Sequence, residues 1–276
     1  MSPVLRCGRF SLPLDFPLIM GVVNITPDSF SDGGQFLSAQ AAIAQAERLV
    51  SEGAAILDLG AESTRPGSAP VSEDEELARL LPVLEALRGL EVPVSVDTRR
   101  ARVMREVLAA GASMINDIEA LSGPGSLEAV AASGCGVCLM HMQGAPATMQ
   151  VAPHYDDVVA EVGAFLAARA AAVESAGISR DRIVVDPGFG FGKTVAHNLE
   201  LLRDLPRMAV SGLPVLAGLS RKATLGVLTG RLAVERMPAS IAAALLAAQR
   251  GATILRVHDV AATRDALAVW RAVEAR

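Results

Sequence analysis

Aromatic side chains are scarce in this sequence: they make up 3% of its 276 residues, with a single tryptophan and a single tyrosine. Apolar residues nevertheless reach 51%, and only 20% of the residues are charged. Such a composition is ample for one large core and favours helices that pack through small side chains. The formal net charge is −5 and no basic stripe stands out, so the composition argues against nucleic acid as a partner.

Cysteine is scarce as well, with three residues in the chain. Cys135 and Cys138 form an isolated C-x-x-C that enters an apolar run, and without a second pair we interpret them as core thiols. An odd cysteine count fits a reducing cytosol. Residues 1–15 lack the apolar stretch of a secretory signal, and the apolar run 241–248 is far shorter than the ~18 residues of a membrane span. The sequence therefore predicts a cytoplasmic protein that does not cross a membrane.

Short apolar runs alternate with helical patterns along the whole chain. The eight predicted strands are 18–23, 55–59, 92–96, 113–115, 136–140, 183–185, 214–217 and 253–255. Each is followed by apolar residues at helical spacing, and the composition does not change between the two halves of the chain. We therefore predict a single-domain (β/α)8 barrel, a TIM barrel, over residues 1–276. A doubly wound open sheet is the alternative.

The segment from Ile183 to Lys193 shows how these strands end. A β-branched run is followed by Asp186, Pro187 ends the ladder, and the alternating glycines that follow allow tight turns or a close approach. Burying an unpaired carboxylate in an apolar core costs free energy, so Asp186 is expected at the opening of a binding site instead. The polar residues at or just after the predicted strand ends are Asn24, Asp97, Asn116, Asp186, Lys222, Arg256 and His258. In a barrel these ends share one rim, so the residues are expected to converge.

The polar residues near the middle strands suit a flat heterocycle. Asp97, Asn116 and Asp186 offer two carboxylates and an amide, and a carboxylate can accept two parallel hydrogen bonds from an amino–imino edge. Lys222 can donate to a carbonyl of such a ring. The alternative for Asp97 and Asp186 is that each one caps the turn after its strand.

The last predicted strand carries groups that suit an anion. Arg256 and His258 are two residues apart and can point the same way from an extended segment. With Asn24 across the rim they can hold a di-anion such as diphosphate, and Asn24 can give an oxygen to a magnesium ion. The alternative is an exposed arginine and a solvated histidine. We interpret His141, after the fifth strand, as a core histidine.

Longer motifs carry a resemblance to a known family. They are MGVVNITPDSFSDGG at 20–34, DLGAESTRPG at 58–67, VSVDT at 94–98, IND at 115–117, LMHMQG at 139–144, DPGFGFGK at 186–193, LSRK at 219–222 and RVHDV at 256–260. In this order, and over nearly the whole chain, they resemble the dihydropteroate synthase family of pterin-binding barrels. Ala239 is a small departure, because the family pattern would place glycine there.

The resemblance implies a reaction and the residues that serve it. The amine of 4-aminobenzoate would displace diphosphate from (7,8-dihydropterin-6-yl)methyl diphosphate, which gives 7,8-dihydropteroate in folate biosynthesis. The pterin would be held by Asp97, Asn116, Asp186, Lys222, Met140 and Phe191; the diphosphate by Asn24, Arg256 and His258; and 4-aminobenzoate by Thr64, Arg65, Pro66, Ser220, Arg221 and Phe30. Lys222, Arg256 and His258 are the expected catalytic residues.

The resemblance also implies partners and leaves two other functions open. It implies Mg2+ as cofactor, bound at Asn24, a homodimer formed through helices far from the rim, and sulfonamides as mimics of 4-aminobenzoate. A methyltetrahydrofolate:corrinoid methyltransferase uses the same barrel and pterin pocket, but it would not need the anion-binding groups at 220–222 and 256–258. A pterin-binding paralogue without catalysis is the other possibility, and the intact motifs argue against it.

Overall fold

Eight parallel strands form a closed barrel in the protein, whose computed structural model describes residues 3–25, 34–62 and 71–274. The strands are β3 (Leu18–Asn24), β4 (Ile56–Gly60), β5 (Val94–Asp97), β6 (Met114–Asp117), β7 (Gly136–Met140), β8 (Ile183–Asp186), β9 (Leu216–Ala217) and β10 (Ile254–Val257). They pair in the order β8-β7-β6-β5-β4-β3-β10-β9. The barrel closes between β8 and β9, where the Val185 N–H donates to the Pro214 carbonyl at 3.0 Å. The predicted barrel is confirmed, and its closure excludes an open sheet.

Nine α-helices lie in the described part of the chain. They are α1 (Gly34–Glu52), α2 (Glu73–Leu87), α3 (Ala101–Ala109), α4 (Ser126–Ala131), α5 (Val158–Ser175), α6 (Val195–Arg203), α7 (Ala223–Thr229), α8 (Met237–Gln249) and α9 (Val260–Glu274). The start of α2 shows sequence-encoded capping, because Ser72 Oγ accepts the Glu75 N–H at 3.2 Å. None of the described helices is both long and apolar enough to span a bilayer.

A short antiparallel hairpin closes the amino end of the barrel. It consists of β1 (Val4–Cys7) and β2 (Phe10–Pro13), and the sequence pattern did not predict it. Leu5 and Cys7 are fully buried against a layer formed by Met20, Ile56, Met114, Cys138, Val184, Leu216 and Ile254. All three cysteines are buried free thiols, and burial raises the pKa of Cys7 to about 12, so the core-thiol interpretation is confirmed.

The strands of this apolar layer also carry the side chains that line the carboxyl end of the barrel. Side chains alternate along a strand, so the residue two positions later points to the same side of the sheet. The residues two positions after the strand members of this layer are Val22, Asp58, Asn116, Met140, Asp186, Gly218 and Arg256. The inside of the barrel is therefore apolar at its amino end, whereas β4, β6, β8 and β10 place polar side chains at its carboxyl end.

Candidate active site

Arg256 lies at the centre of the polar layer. Its Nε donates to Asp58 Oδ2 at 2.6 Å, and its Nη2 donates to Asp97 Oδ2 at 3.3 Å. Asp58 Oδ2 also accepts a hydrogen bond from Asn116 Nδ2 at 3.2 Å. Burial opposes the charge on Arg256, but Asp58 and Asp97 outweigh this effect and raise its pKa above the ordinary value. Strands β4, β5, β6 and β10 are thus linked through one cation that stays charged.

The two carboxylates predicted to grip a heterocycle are both in this layer. Burial raises the pKa of Asp97 to about 7, against the opposing effect of Arg256. Burial also raises the pKa of Asp186, against the opposing effect of Lys222. Asp186 Oδ1 accepts the Gly188 N–H at 2.7 Å, so one oxygen caps the following turn, as the alternative interpretation proposed. Among the described residues, its Oδ2 makes no hydrogen bond and can serve a ligand.

Three buried polar atoms of the layer have no hydrogen-bond partner among the described residues: Asp58 Oδ1, Asn116 Oδ1 and Ser95 Oγ. Leaving a buried acceptor unsatisfied costs about 1–3 kcal/mol, so such atoms in a group indicate a place for a polar ligand or water. Two of the three are acceptors next to Arg256. The pocket floor therefore favours a ligand that donates hydrogen bonds.

The segment 187–193, which follows β8 and is called the glycine loop below, forms one wall of the site. Lys222 Nζ donates to the Phe189 carbonyl and lies 4.5 Å from the centroid of the Phe191 ring. Burial lowers the pKa of Lys222 to about 8, while Asp186 acts in the opposite direction. At Gly190, which has a φ of +79°, a Cβ would lie 3.1 Å from Lys222 Cδ. The loop and Lys222 are therefore in close contact along the stem of the lysine.

Ser220 and His258 meet on the β9–β10 side of the rim. The His258 N–H donates to Ser220 Oγ at 3.3 Å, and His258 Nδ1 lies 3.0 Å from the same oxygen. Arg221 donates two hydrogen bonds to Asp259, with distances of 2.6 and 3.1 Å. Asn24, at the end of β3, is exposed. Its side chain lies beside Gly60 at the end of β4, where an added Cβ would be 3.9 Å from Asn24 Oδ1. The anion groups predicted from sequence thus lie on strands that border Arg256.

His141 is buried, as its interpretation as a core histidine predicted. Its Nδ1 lies 2.9 Å from Lys193 Nζ, and burial together with the lysine charge lowers the pKa of His141 to about 3. Met140 is buried and pairs in register with Asp186.

The structure thus brings together most of the residues predicted for the site, on the strand ends and the loops that follow them. Those it describes are Asn24, Asp97, Asn116, Met140, Asp186, Phe191, Ser220, Arg221, Lys222, Arg256 and His258. Phe30, Thr64, Arg65 and Pro66, predicted for 4-aminobenzoate, lie outside the described residues. Asp58 and Lys193 were not among the site residues predicted from the sequence. The only sequence signal for Asp58 is a carboxylate inside an otherwise apolar strand, which does not identify its partners.

Known proteins share the sequence and the fold of this chain. A family model described as pterin binding enzyme matches residues 20–258. The dihydropteroate synthase of Neisseria meningitidis serogroup B is 54% identical over 277 residues, covering 98% of this chain and 97% of the relative. The solved structure of Xanthomonas albilineans dihydropteroate synthase with 4-aminobenzoic acid has a TM-score of 0.93 at 56% identity and full coverage of both chains. Burkholderia cenocepacia dihydropteroate synthase complexed with 7,8-dihydropteroate has a TM-score of 0.90 at 52% identity, covering 99% of this chain and 96% of that one.

The chain therefore belongs to the pterin-binding enzyme family, and within it to the dihydropteroate synthases. These enzymes are transferases that make dihydropteroate, and this chain has their fold.

Proposed function

We propose that the rim transfers a pterinylmethyl group from (7,8-dihydropterin-6-yl)methyl diphosphate to the amine of 4-aminobenzoate. A C–O bond to diphosphate breaks, a C–N bond forms, and the amine loses one proton. The observation that carries the proposal is the polar layer in which Asp58, Asp97 and Asn116 surround Arg256, with buried acceptors left for a ligand. The whole chain is proposed to act as one cytoplasmic barrel domain over residues 1–276.

The pterin end of the substrate is assigned to the acceptor-rich part of the layer. A pterin presents several N–H donors along its amino–imino edge, and Asp97, Asn116 and Asp186 supply acceptors at the matching strand ends. Lys222 lies over the Phe191 ring and interacts electrostatically with Asp186, so its amine is proposed to donate to the pterin carbonyl. Met140 and Phe191 supply the apolar surface for the ring faces.

The diphosphate end is assigned to Asn24, Arg256 and His258. Two of the N–H groups of Arg256 are used by Asp58 and Asp97, and a guanidinium has five, so donors remain for a phosphate oxygen. Groups that meet the charge as it develops on the leaving diphosphate lower the barrier to departure. Lys222, Arg256 and His258 are therefore the proposed catalytic residues.

Magnesium is proposed to bind at Asn24. Mg2+ usually takes one or two protein oxygens together with substrate phosphates and waters. The exposed amide of Asn24 at the rim fits this pattern. In the described part of the chain, no cluster of three or more His, Cys, Asp or Glu side chains could replace it as a metal site. When bound, the ion would neutralise charge on the diphosphate oxygens.

The 4-aminobenzoate end is assigned to Ser220 and Arg221, together with Phe30, Thr64, Arg65 and Pro66. Ser220 faces His258, so the second substrate would approach from the side on which the diphosphate leaves. Arg221 is held by Asp259, which fixes its guanidinium beside the same strand end. We propose that diphosphate departs before the amine attacks, because the conjugated pterin ring can stabilise a cation at the methylene carbon. A trapped pterin–protein adduct would contradict this order.

The activity is tested by mixing the protein with magnesium, the pterin diphosphate and 4-aminobenzoate and measuring diphosphate release and dihydropteroate. We expect both products in equal amounts, and chelation of magnesium should stop their formation. Methyl transfer from methyltetrahydrofolate to a corrinoid, without diphosphate release, would favour the methyltransferase. Binding of a dihydropterin with neither activity would indicate a paralogue without catalysis.

A homodimer is proposed from an exposed apolar surface on the helices that follow β9. The residues are Val227, Leu228, Leu232, Val234, Met237 and Leu246, on α7, α8 and the segment between them. Large exposed apolar side chains this close in sequence are characteristic of protein interfaces. Light scattering should give twice the chain mass, and Leu228→Glu with Val234→Glu should give the monomer. Val273→Glu, at an exposed position on α9, is the control that should remain dimeric.

A further inference from the structure

Four successive carbonyls of the glycine loop each accept a hydrogen bond from a side chain. Lys222 Nζ donates to Phe189, Gln150 Nε2 donates to Gly190 at 2.5 Å, Lys193 Nζ donates to Phe191 at 3.0 Å, and the Tyr155 hydroxyl donates to Gly192 at 2.9 Å. Pro187, Gly188, Phe189 and Gly192 are buried, so most of the loop is shielded from water and its carbonyls need donors from the protein. Side chains supply such a donor at each of four successive residues.

The backbone of the loop also lies directly on the chain that follows β7. A Cβ at Gly188 would lie 1.9 Å from the His141 carbonyl oxygen, and one at Gly192 would lie 2.4 Å from the Gln143 carbonyl oxygen. Both glycines have a positive φ, which a side chain would strain as well. The loop backbone therefore packs closely on residues 141–143, and the side-chain donors around the loop stabilise this contact.

Lys193 is the most deeply buried of the four donors. It is 3% exposed, and its Nζ contacts His141 Nδ1 at 2.9 Å as well as the Phe191 carbonyl. Its Nζ also lies 6.0 Å from the centroid of the Tyr155 ring. Burial lowers the pKa of His141 to about 3, so the ring is neutral and its Nδ1 can accept. Burial lowers the pKa of Lys193 to about 7, while Asp186 acts in the opposite direction.

The choice of lysine at this place is informative. The chain has 25 basic residues, and only two of them, Lys193 and Lys222, are lysines. Both lie at the glycine loop, and every other basic residue is an arginine. A lysine can enter a closed space as a compact charge on an apolar stem, whereas a guanidinium needs room for a planar fork. Lysine therefore occurs in this chain only at the two positions that hold this loop.

We propose that Lys193 is a positioning residue of the transferase site, with Tyr155 as its companion, and that it acts by fixing the loop that carries Phe191. Through the Phe191 carbonyl it sets where that ring stands against Lys222, and so where Lys222 presents its ammonium beside Asp186. It contacts no substrate itself. The proposal rests on the proposed function, because it assumes that Phe191 and Lys222 bind the pterin.

The test compares Lys193→Met, which keeps the length of the side chain and removes the donor, with wild type. We expect the KM for the pterin diphosphate to rise about tenfold, because the variant leaves the partly buried Phe191 carbonyl without its Lys193 donor. The dissociation constant of dihydropterin should rise equally, and the KM for 4-aminobenzoate should stay within about twofold. Tyr155→Phe removes only a hydroxyl and should raise the pterin KM by about threefold. Arg169→Met is the matched control, because Arg169 donates to the carbonyls of Ala120 and Leu121 outside the site, and it should leave both KM values unchanged.

A folded Lys193→Met enzyme with an unchanged pterin KM would overturn the proposal, and so would equal losses for both substrates. If Lys193→Met does not fold, Tyr155→Phe decides, and an unchanged pterin KM in that variant would overturn it. Failure of the proposed function is distinguishable, because it would appear as absence of turnover in wild type. In that case the dihydropterin dissociation constants of the variants still test the role of Lys193.

Discussion

Arg256 Nε lies 2.6 Å from Asp58 Oδ2, although the two residues are 198 positions apart in the chain. Asp58 is fully buried, and the same oxygen accepts the Asn116 amide. Removing one partner of a buried pair typically costs 3–5 kcal/mol, because the other charge stays buried. Asp58 on β4 thus fixes the guanidinium of Arg256 on β10, which is a proposed catalytic group.

Asp58→Asn keeps the shape of the side chain and removes its charge. We expect the free energy of unfolding to fall by about 3 kcal/mol, because Arg256 loses the nearer of its two carboxylates. Urea denaturation measures this change. Ser95→Ala is the matched control, since Ser95 is buried nearby and its hydroxyl has no partner among the described residues. That variant should change stability by less than about 1 kcal/mol, and equal losses in both variants would contradict a role for the ion pair.

Asp186→Asn tests the pterin assignment. One oxygen of Asp186 caps the Gly188 turn, which an asparagine oxygen can still do, whereas the charge offered to a ligand is lost. We expect dihydropterin to bind more weakly by about 2 kcal/mol or more, measured by calorimetric titration. Asp117→Asn is the control: Asp117 accepts the N–H groups of Glu119 and Leu121 and so caps the turn that follows strand β6. It should lower stability without changing dihydropterin affinity.

Arg256 and His258 were assigned to the same anion, and the structure separates their expected effects. Arg256 pairs with Asp97, which is assigned to the pterin, and it is also assigned to the diphosphate. Arg256→Gln should therefore weaken the binding of both dihydropterin and its diphosphate. His258 instead contacts Ser220, so His258→Asn should weaken the diphosphate compound by about 1–2 kcal/mol and leave dihydropterin unchanged. Titration of each variant with both ligands measures the two effects. The assignment would be wrong if His258→Asn weakened both ligands equally.

The position of the site was predictable from sequence, whereas the network beneath it was not. Asp97, Asn116 and Asp186 were found because each follows a short apolar run, and parallel strand ends meet at one rim of a barrel. Asp58 was missed because it lies inside such a run, between Leu57 and Leu59, where hydropathy alone predicts a continuous buried strand. Its partners are distant in sequence, and only the barrel brings them together.

Two elements escaped prediction because their stability comes from contacts rather than from pattern. The hairpin of β1 and β2 has strands of four residues each, and it is held by burial of Leu5 and Cys7 under the barrel. Helix α7 has seven residues, too few for a clear apolar period. Lys193 was present in a motif, but nothing in the sequence showed that its amine turns back to the Phe191 carbonyl.

His141 predicts a pH dependence of stability. Burial and Lys193 lower its pKa from 6.5 to about 3 in the native state. Between these two pH values His141 is protonated in the unfolded chain but neutral in the folded protein. Stability is therefore fully present above the unfolded pKa and falls with pH below it, by about 1.4 kcal/mol per unit. Relative to His141→Gln, wild type should lose about 2 kcal/mol of unfolding free energy between about pH 8 and pH 5. Urea midpoints for both proteins measure this difference, and a constant difference across that range would contradict it.

The two lysines predict a pattern of chemical labelling. Burial lowers the pKa of Lys193 to about 7 and that of Lys222 to about 8, so both amines are largely unprotonated somewhat above these values and react according to access. Lys193 is 3% exposed and enclosed by the glycine loop, whereas Lys222 is less completely buried. Acetic anhydride at about pH 8.5 should therefore acetylate Lys222 at least about tenfold faster than Lys193, followed by peptide mass spectrometry. Saturating dihydropterin should protect Lys222, because the proposed ligand covers its amine. Faster acetylation of Lys193 would mean that the loop opens in solution more readily than its four side-chain donors allow.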